Sequence, residues 1–295
     1  MYQYQHLQRE GIHRLIMKEK TSGFLSFLYT TPVGRGLLSI LVSPAVSQAA
    51  GKVMNSGVSS LAVPGFIKSH DIDVSELEKT SFSSYNDFFT RKLKPGARPF
   101  EASNEALISP CDAKLTLYPI MKDSRFWIKQ GQYTLKSLLR DEKLAKQFEG
   151  GILWQLRLSV DDYHRYIYPV SGRRSHERTI HGVFHTVQPI ALEHCPVYKE
   201  NTRKYCLIKT KELGTVLMME VGAMMVGRIT NHKDTPGMVE FGEEKGYFEF
   251  GGSTIILLTQ KGTVVPRKDI VYHSISGGET PIKQGEKIAR KNTQK

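Results

Sequence analysis

The sharpest chemical signal in this chain is four neighbouring residues, Gly251-Gly252-Ser253-Thr254. They split Phe248-Glu249-Phe250 from Ile255-Ile256-Leu257-Leu258, which would otherwise read as one hydrophobic strand. Glycine inside a strand weakens it and marks a bulge or a close backbone approach. A hairpin turn is one reading of the segment; self-cleavage is the other. The Ser253 hydroxyl can attack the carbonyl of Gly252 and exchange the amide for an ester. That step is uphill, so it needs a strained peptide and a stabilised oxyanion. Glycines at 251 and 252 admit backbone angles that other residues resist, and the hydroxyl needs a base. β-Elimination of the ester would leave a dehydroalanine, which hydrolyses to a pyruvoyl group and ammonia. The products would be a large chain, 1–252, and a small chain, 253–295.

Further segments carry a resemblance, in a fixed order along the chain. Ser109-Pro110-Cys111-Asp112, Asp162-Tyr163-His164-Arg165, Glu220-Val221-Gly222-Ala223 and the Gly-Ser-Thr at 252–254 are similar to motifs of the phosphatidylserine decarboxylase family. Asn86-Asp87-Phe88-Phe89-Thr90-Arg91 and Val197-Tyr198-Lys199-Glu200-Asn201 agree as well, so the resemblance runs from about residue 20 onward. It implies a pyruvoyl-dependent carboxy-lyase. The pyruvoyl group made from Ser253 would form a Schiff base with the amine of phosphatidylserine and draw electrons from the breaking bond to CO2. Asp112 would orient and charge-stabilise an imidazole, as in a Ser-His-Asp relay. His164 would transfer protons in self-cleavage, in protonation of the carbanion, or in both. Two positions depart from the family pattern. Ala113 stands where the family has Gly. Ile167 stands where many members have a second histidine, the usual base for self-cleavage; Tyr168 and His185-Thr186-Val187-Gln188-Pro189 resemble a bacterial subgroup. The base is therefore His164 or His185. The site residues expected are Ser253, Asp112, His164 and His185, with cleavage between Gly252 and Ser253 and no metal.

Composition narrows the partners. The formal net charge is +12 over 295 residues, which suits a polyanionic partner, nucleic acid or an anionic membrane. Each Lys or Arg near an anionic leaflet contributes roughly 1 kcal/mol. No aromatic-basic interleaving or DNA-reading helix is evident, so nucleic acid is not expected. Cys111, Cys195 and Cys206 show no metal-binding spacing and read as reduced thiols, with Cys111 a packing residue. The first twenty residues are charged throughout, unlike a signal peptide. The uncharged stretch Gly36–Gly51 is too short and too broken to cross a bilayer, though it could lie on one. The expected place is the cytoplasmic face of the cell membrane, peripherally bound, with phosphatidylserine as substrate; a homodimer is compatible with the sequence.

The elements that must position these residues fall into two parts. Residues 1–95 read as helical, with apolar clusters at Phe24–Leu28 and Leu37–Leu41 and the basic run Arg91-Lys92-Leu93-Lys94. This part reads either as membrane-surface helices with basic residues at head-group level or as a helical layer covering a β-domain. Pro95-Gly96 marks a boundary. Residues 96–295 read as a β-rich catalytic domain, with strands near 107–109, 113–118, 153–158, 215–221 and 254–259. One helix is expected, about Thr134 to Phe148. His176, His181 and His194 read as surface or loop residues, and Arg173-Arg174-Ser175-His176-Glu177-Arg178 as a solvated loop. The class is α+β: an N-terminal helical layer, then a mixed, mostly antiparallel β-body. Two other functions fit less well: a pyruvoyl enzyme acting on a soluble amino acid, and an uncut basic membrane-binding module.

Overall fold

The computed structural model describes residues 51–100, 103–129, 131–182, 201–222, 228–249 and 253–293. Among these, strands dominate. In chain order they begin with β1 (Ala106–Ile108), β2 (Ala113–Pro119), β3 (Arg125–Ile128), β4 (Gly131–Thr134), β5 (Ile152–Leu158) and β6 (Arg165–Ile167). Next come β7 (Gly172–Arg174), β8 (Arg178–Ile180), β9 (Arg203–Lys209), β10 (Thr215–Val221), β11 (Ile229–Asn231) and β12 (Gly237–Val239). Then follow β13 (Glu244–Phe248), β14 (Ser253–Thr259), β15 (Val264–Pro266), β16 (Thr280–Ile282) and β17 (Lys287–Lys291).

A nine-stranded sheet runs β12-β7-β9-β10-β14-β5-β2-β16, with β8 also pairing β9. Its pairings are antiparallel. β14 lies between β10 and β5, and each of its seven residues is buried. That is why its centre, Ile255-Ile256-Leu257-Leu258, is an unbroken apolar run: a strand covered on both faces has no solvent side to alternate with. Along β10 and β14 the side chains divide in two. Val216, Met218, Ile255 and Leu257 join Tyr166, Phe248, Leu107 and Ile288 in one core. Leu217, Met219, Ile256 and Leu258 join Phe126, Tyr133, Leu138 and Phe148 in the other. The first face is covered by two three-stranded sheets, β11-β13-β6 and β1-β17-β15, and by helix Lys268–Ile275. The second is covered by the β3–β4 hairpin and two short helices.

Those two helices replace the single one expected over 134–148. The leucines fall where the periodicity places them, but Arg140 adopts φ +47, left-handed backbone that ends the helix Leu135–Leu139. Asp141 then caps the helix Glu142–Gln147 by accepting from Leu144 N at 2.9 Å. The run at 173–178 is not wholly solvated either. Arg174 lies in β7 with no side-chain exposure, and Glu177 is 5 % exposed beside it. Cys111 and Cys206 are buried core residues.

Of the expected helical layer, residues 51–95 carry short pieces: 3-10 turns Gly57–Ala62 and Val74–Glu76, and helices Val63–Ser69 and Tyr85–Phe89. Val63, Tyr85, Phe88 and Phe89 form a small core of their own. The clusters at 24–28 and 37–41 lie outside the described residues. Among the described residues no helix is long and apolar enough to cross a membrane.

Candidate active site

Ser253 opens β14 and is 2 % exposed. On one side it pairs with Leu158 at the end of β5; on the other, the register Val221–Thr254 brings the end of β10 alongside. Asn201 fastens that end by donating from Nδ2 to the Gly222 carbonyl at 2.8 Å. Phe250, Gly251 and Gly252 lie outside the described residues, but the strands on either side, β13 and β14, are held. Phe248, the last residue of β13, donates its N–H to the carbonyl of His164 at 3.0 Å.

His164 is fully buried. Its Nδ1 lies 2.9 Å from the carbonyl of Asp162, which can only accept, so Nδ1 carries the proton. Nε2 is left as a bare lone pair, with no hydrogen-bond partner among the described residues. Burial pulls the imidazole down to about 3, outweighing the hydrogen bond to Asp162. His164 is thus neutral at physiological pH, with one nitrogen ready to accept a proton.

The loop carrying His164 is held by the segment 86–91. Phe89 lays its ring against the imidazole with centroids 4.0 Å apart. Arg91 donates to the carbonyls of Asp161 and Asp162 at 2.8 and 3.0 Å. Arg165 returns the grip by donating to Thr90 O at 2.9 Å. This overturns the head-group reading for one member of the basic run: Arg91 is 4 % exposed and turned inward. Its guanidinium supplies donors to two partly buried carbonyls.

Asp112 is 2 % exposed at the turn between β1 and β2. Arg98 grips it with a two-pronged pair, Nε to Oδ1 at 3.0 Å and Nη2 to Oδ2 at 2.7 Å. Gln284 N donates to Oδ1 at 2.8 Å, and Lys283 Nζ lies 3.4 Å from Oδ2. Among the described residues no imidazole donates to this carboxylate; its charge reaches His164 through space. Arg98 also donates to Glu76 at 2.9 Å, so Asp112 is tied to the N-terminal part of the chain. Burial opposes the charge on Arg98, and the Asp112 and Glu76 carboxylates outweigh it and raise its pKa. His185 lies outside the described residues.

Reasoning from sequence missed Arg91, Arg98, Phe89 and Gln284 as parts of the site. Arg91 and Phe89 sat inside a recognised segment without a role. Arg98 and Gln284 gave no local signal, because they meet Asp112 from 14 and 172 residues away. Lys129 was missed too. It forms the tip of the β3–β4 hairpin with φ +56, burial pulls its ammonium down to about 7, and its charge acts on His164.

Comparison with known proteins decides the family. The profile of phosphatidylserine decarboxylase matches residues 85–290. The chain belongs to the phosphatidylserine decarboxylase family. It is 42 % identical over 276 residues to phosphatidylserine decarboxylase proenzyme 2 of Clostridium acetobutylicum, covering 93 % of this chain and 94 % of the relative. The phosphatidylserine decarboxylase proenzyme of Fusobacterium nucleatum is 36 % identical, with 96 % of each chain covered. That of Ruminiclostridium cellulolyticum is 40 % identical, with 90 % of each covered. The family match spans Asp112, His164 and Ser253 and both strands that flank residues 249–252.

Proposed function

We propose that this chain decarboxylates phosphatidylserine with a pyruvoyl group made from its own Ser253. Membership of the family, with relatives named as proenzymes over nearly the whole chain, supports the activity and a self-processing precursor. The observation that carries the mechanism is the bare Nε2 of His164, a buried neutral base on the loop bonded to the strand that enters the scissile segment.

The chain's own residues supply the cleavage. His164 Nε2 takes the Ser253 hydroxyl proton as the oxygen attacks the Gly252 carbonyl. The Phe89 ring and the Asp162 carbonyl fix the imidazole plane and its tautomer. Elimination then removes the Ser253 Cα proton and releases the Gly252 carboxylate, and water converts the dehydroalanine to the ketone and ammonia. The buried head of β14 between β5 and β10 fits a small planar group that must be kept from bulk water. A pyruvoyl group there supplies an electron sink for decarboxylation. The positive groups beside His164, Arg91 and Lys129, favour a substrate that brings an anionic head group.

Intact-mass spectrometry tests this reading. Purified protein gives chains 1–252 and 253–295, the smaller lighter by one ammonia than a serine-initiated peptide, and it releases CO2 from phosphatidylserine. A single uncut mass in protein that still turns over would refute it.

Membrane contact is part of the proposal. Val53, Val58 and Leu61 are 60, 77 and 80 % exposed around the turn Gly57–Ala62, with Lys52 and Lys68 exposed nearby. Each such side chain buried in lipid is worth about 1.5–3 kcal/mol. Replacing Val58 and Leu61 by Asp therefore weakens co-sedimentation with phosphatidylserine vesicles roughly a hundredfold. Unchanged vesicle binding would place the contact elsewhere or favour a soluble amino acid as substrate.

A further inference from the structure

One buried ion pair is unused by the mechanism above. Glu220 on β10 and Lys245 on β13 meet at 2.6 Å with neither side chain exposed. β10 belongs to the nine-stranded sheet and β13 to the sheet β11-β13-β6. The segment 249–252, which holds the proposed scissile amide, runs from β13 to β14, from the smaller sheet to the larger. The pair therefore links across space the same two sheets that residues 249–252 link along the chain.

The local structure is built around this contact. Lys245 is the extra residue of a β-bulge: Glu244 pairs with Ile167 and Gly246 with Tyr166, and nothing on β6 opposes Lys245. Bulges re-aim a side chain, and here the bulge turns an ammonium into the core. A Cβ on Gly246 would fall 2.2 Å from Thr230 O, so only glycine lets β11 close in. That approach brings Asn231 Nδ2 to Glu220 Oε2 at 3.1 Å and also to Glu177, while Tyr166 donates to Asn231 Oδ1 at 2.8 Å. Glu220 pairs with Ile255, two residues along β14 from Ser253, so its side chain lies on the same face of the sheet as that of Ser253. A buried ion pair adds little stability over apolar residues of equal volume. What it adds is a single registry, since any slip strands a charge in the core.

We propose that the Glu220–Lys245 pair is a positioning device for self-cleavage: it locks the two sheets joined by residues 249–252 in one registry, and so holds Ser253 in place for the step and sets its rate. This rests on Ser253 being the cleaving residue.

The test follows the first-order appearance of chain 253–295 by intact mass after synthesis of the precursor. Glu220→Gln with Lys245→Met replaces the pair by a neutral one of similar volume. In a Ser253→Ala background this double variant melts cooperatively near the uncut parent. With Ser253 present it cleaves roughly a hundredfold more slowly, the scale of loss expected when a reacting group shifts by about 1 Å. Lys245→Arg keeps the charge and restores most of the rate. One glycine inserted after Phe250 leaves the pair intact but slackens the link, and it also slows cleavage. A folded double variant that cleaves at the parental rate overturns the proposal, as does an insertion variant that does so if the double variant fails to fold. Cutting of the Ser253→Ala chain itself would instead remove the reading beneath it.

Discussion

Ser253→Ala yields one uncut chain of 295 residues with no decarboxylase turnover. The substitution removes the only atom that can carry the acyl group of Gly252 away from nitrogen, so neither the ester nor the ketone forms. Activity falls to background rather than to a reduced rate, because decarboxylation without an electron sink forfeits the stabilisation the cofactor supplies. The fold survives. Ser253 is held by the pairing of β14 with β5 and β10 through its backbone, which alanine keeps, and loss of one buried hydroxyl contact costs about 1 kcal/mol. Mass spectrometry, a CO2-release assay and a thermal melt on one preparation check the three parts together. A folded, uncut variant that still releases CO2 would show that the chemistry needs no group at position 253. Ser253→Cys gives a useful contrast. Its thiol can take the same acyl transfer and elimination, so it should yield the cut chain at a changed rate, which separates loss of the nucleophile from damage to the strand.

How much of this could be read in the residues depends on the range of each signal. The strands at 215–221 and 254–259 were legible because burial on both faces writes the apolar runs Val216–Met219 and Ile255–Leu258 into the sequence. The glycine pair before Ser253 admitted two readings, a hairpin turn and a cleavage site, and the ordered family motifs favoured the second. The break at Arg140 was hidden, since its left-handed backbone is imposed on a residue type that gives no hint of it and the leucines on either side keep one periodicity. Arg98 was hidden for another reason: an ion pair formed across a fold leaves no spacing to detect. Arg174 and Glu177 misled outright. A run of charges normally faces water, yet here the side chains of Arg174 and Glu177 are buried, with Lys245 and Asn231 as further partners of Glu177. Sequence reasoning assigns charge to solvent by default, and it fails where one buried charge compensates another from a distant strand. The order in which Asp112, His164 and Ser253 recur was enough to suggest the reaction, but not that Asp112 is gripped by an arginine.

His164→Gln slows self-cleavage by about 10²–10⁴-fold, the usual contribution of a positioned general base. The glutamine can keep a hydrogen bond to the Asp162 carbonyl, but its amide has no comparable basic lone pair to set where Nε2 stands. The pH dependence of the parent gives the sharper evidence. An exposed imidazole titrates near 6.5 and loses its power as a base as the pH falls toward 6. Burial holds His164 at about 3, so the parental cleavage rate stays level between about pH 7.5 and 5.5 as far as this group is concerned. The same shift sets a stability signature. The folded pKa lies below the unfolded one, so the neutral ring's contribution is whole above about pH 6.5 and is lost as the pH falls toward 3. The loss is about 1.4 kcal/mol per pH unit within that window. Asp162 acts in the opposite sense, because burial raises its carboxyl to about 6 and the folded chain then binds the proton first as the pH falls. The parent alone therefore mixes two slopes. The difference between parent and His164→Gln, both carrying Ser253→Ala so that uncut chains are compared, isolates the histidine. Denaturant unfolding at pH 6.5, 5.5 and 4.5 should show the variant losing less stability than the parent at each step. If the two curves run parallel while the variant cleaves at the parental rate, His164 neither titrates as a buried base nor serves as one, and the proton acceptor lies elsewhere, with His185 the next residue to replace.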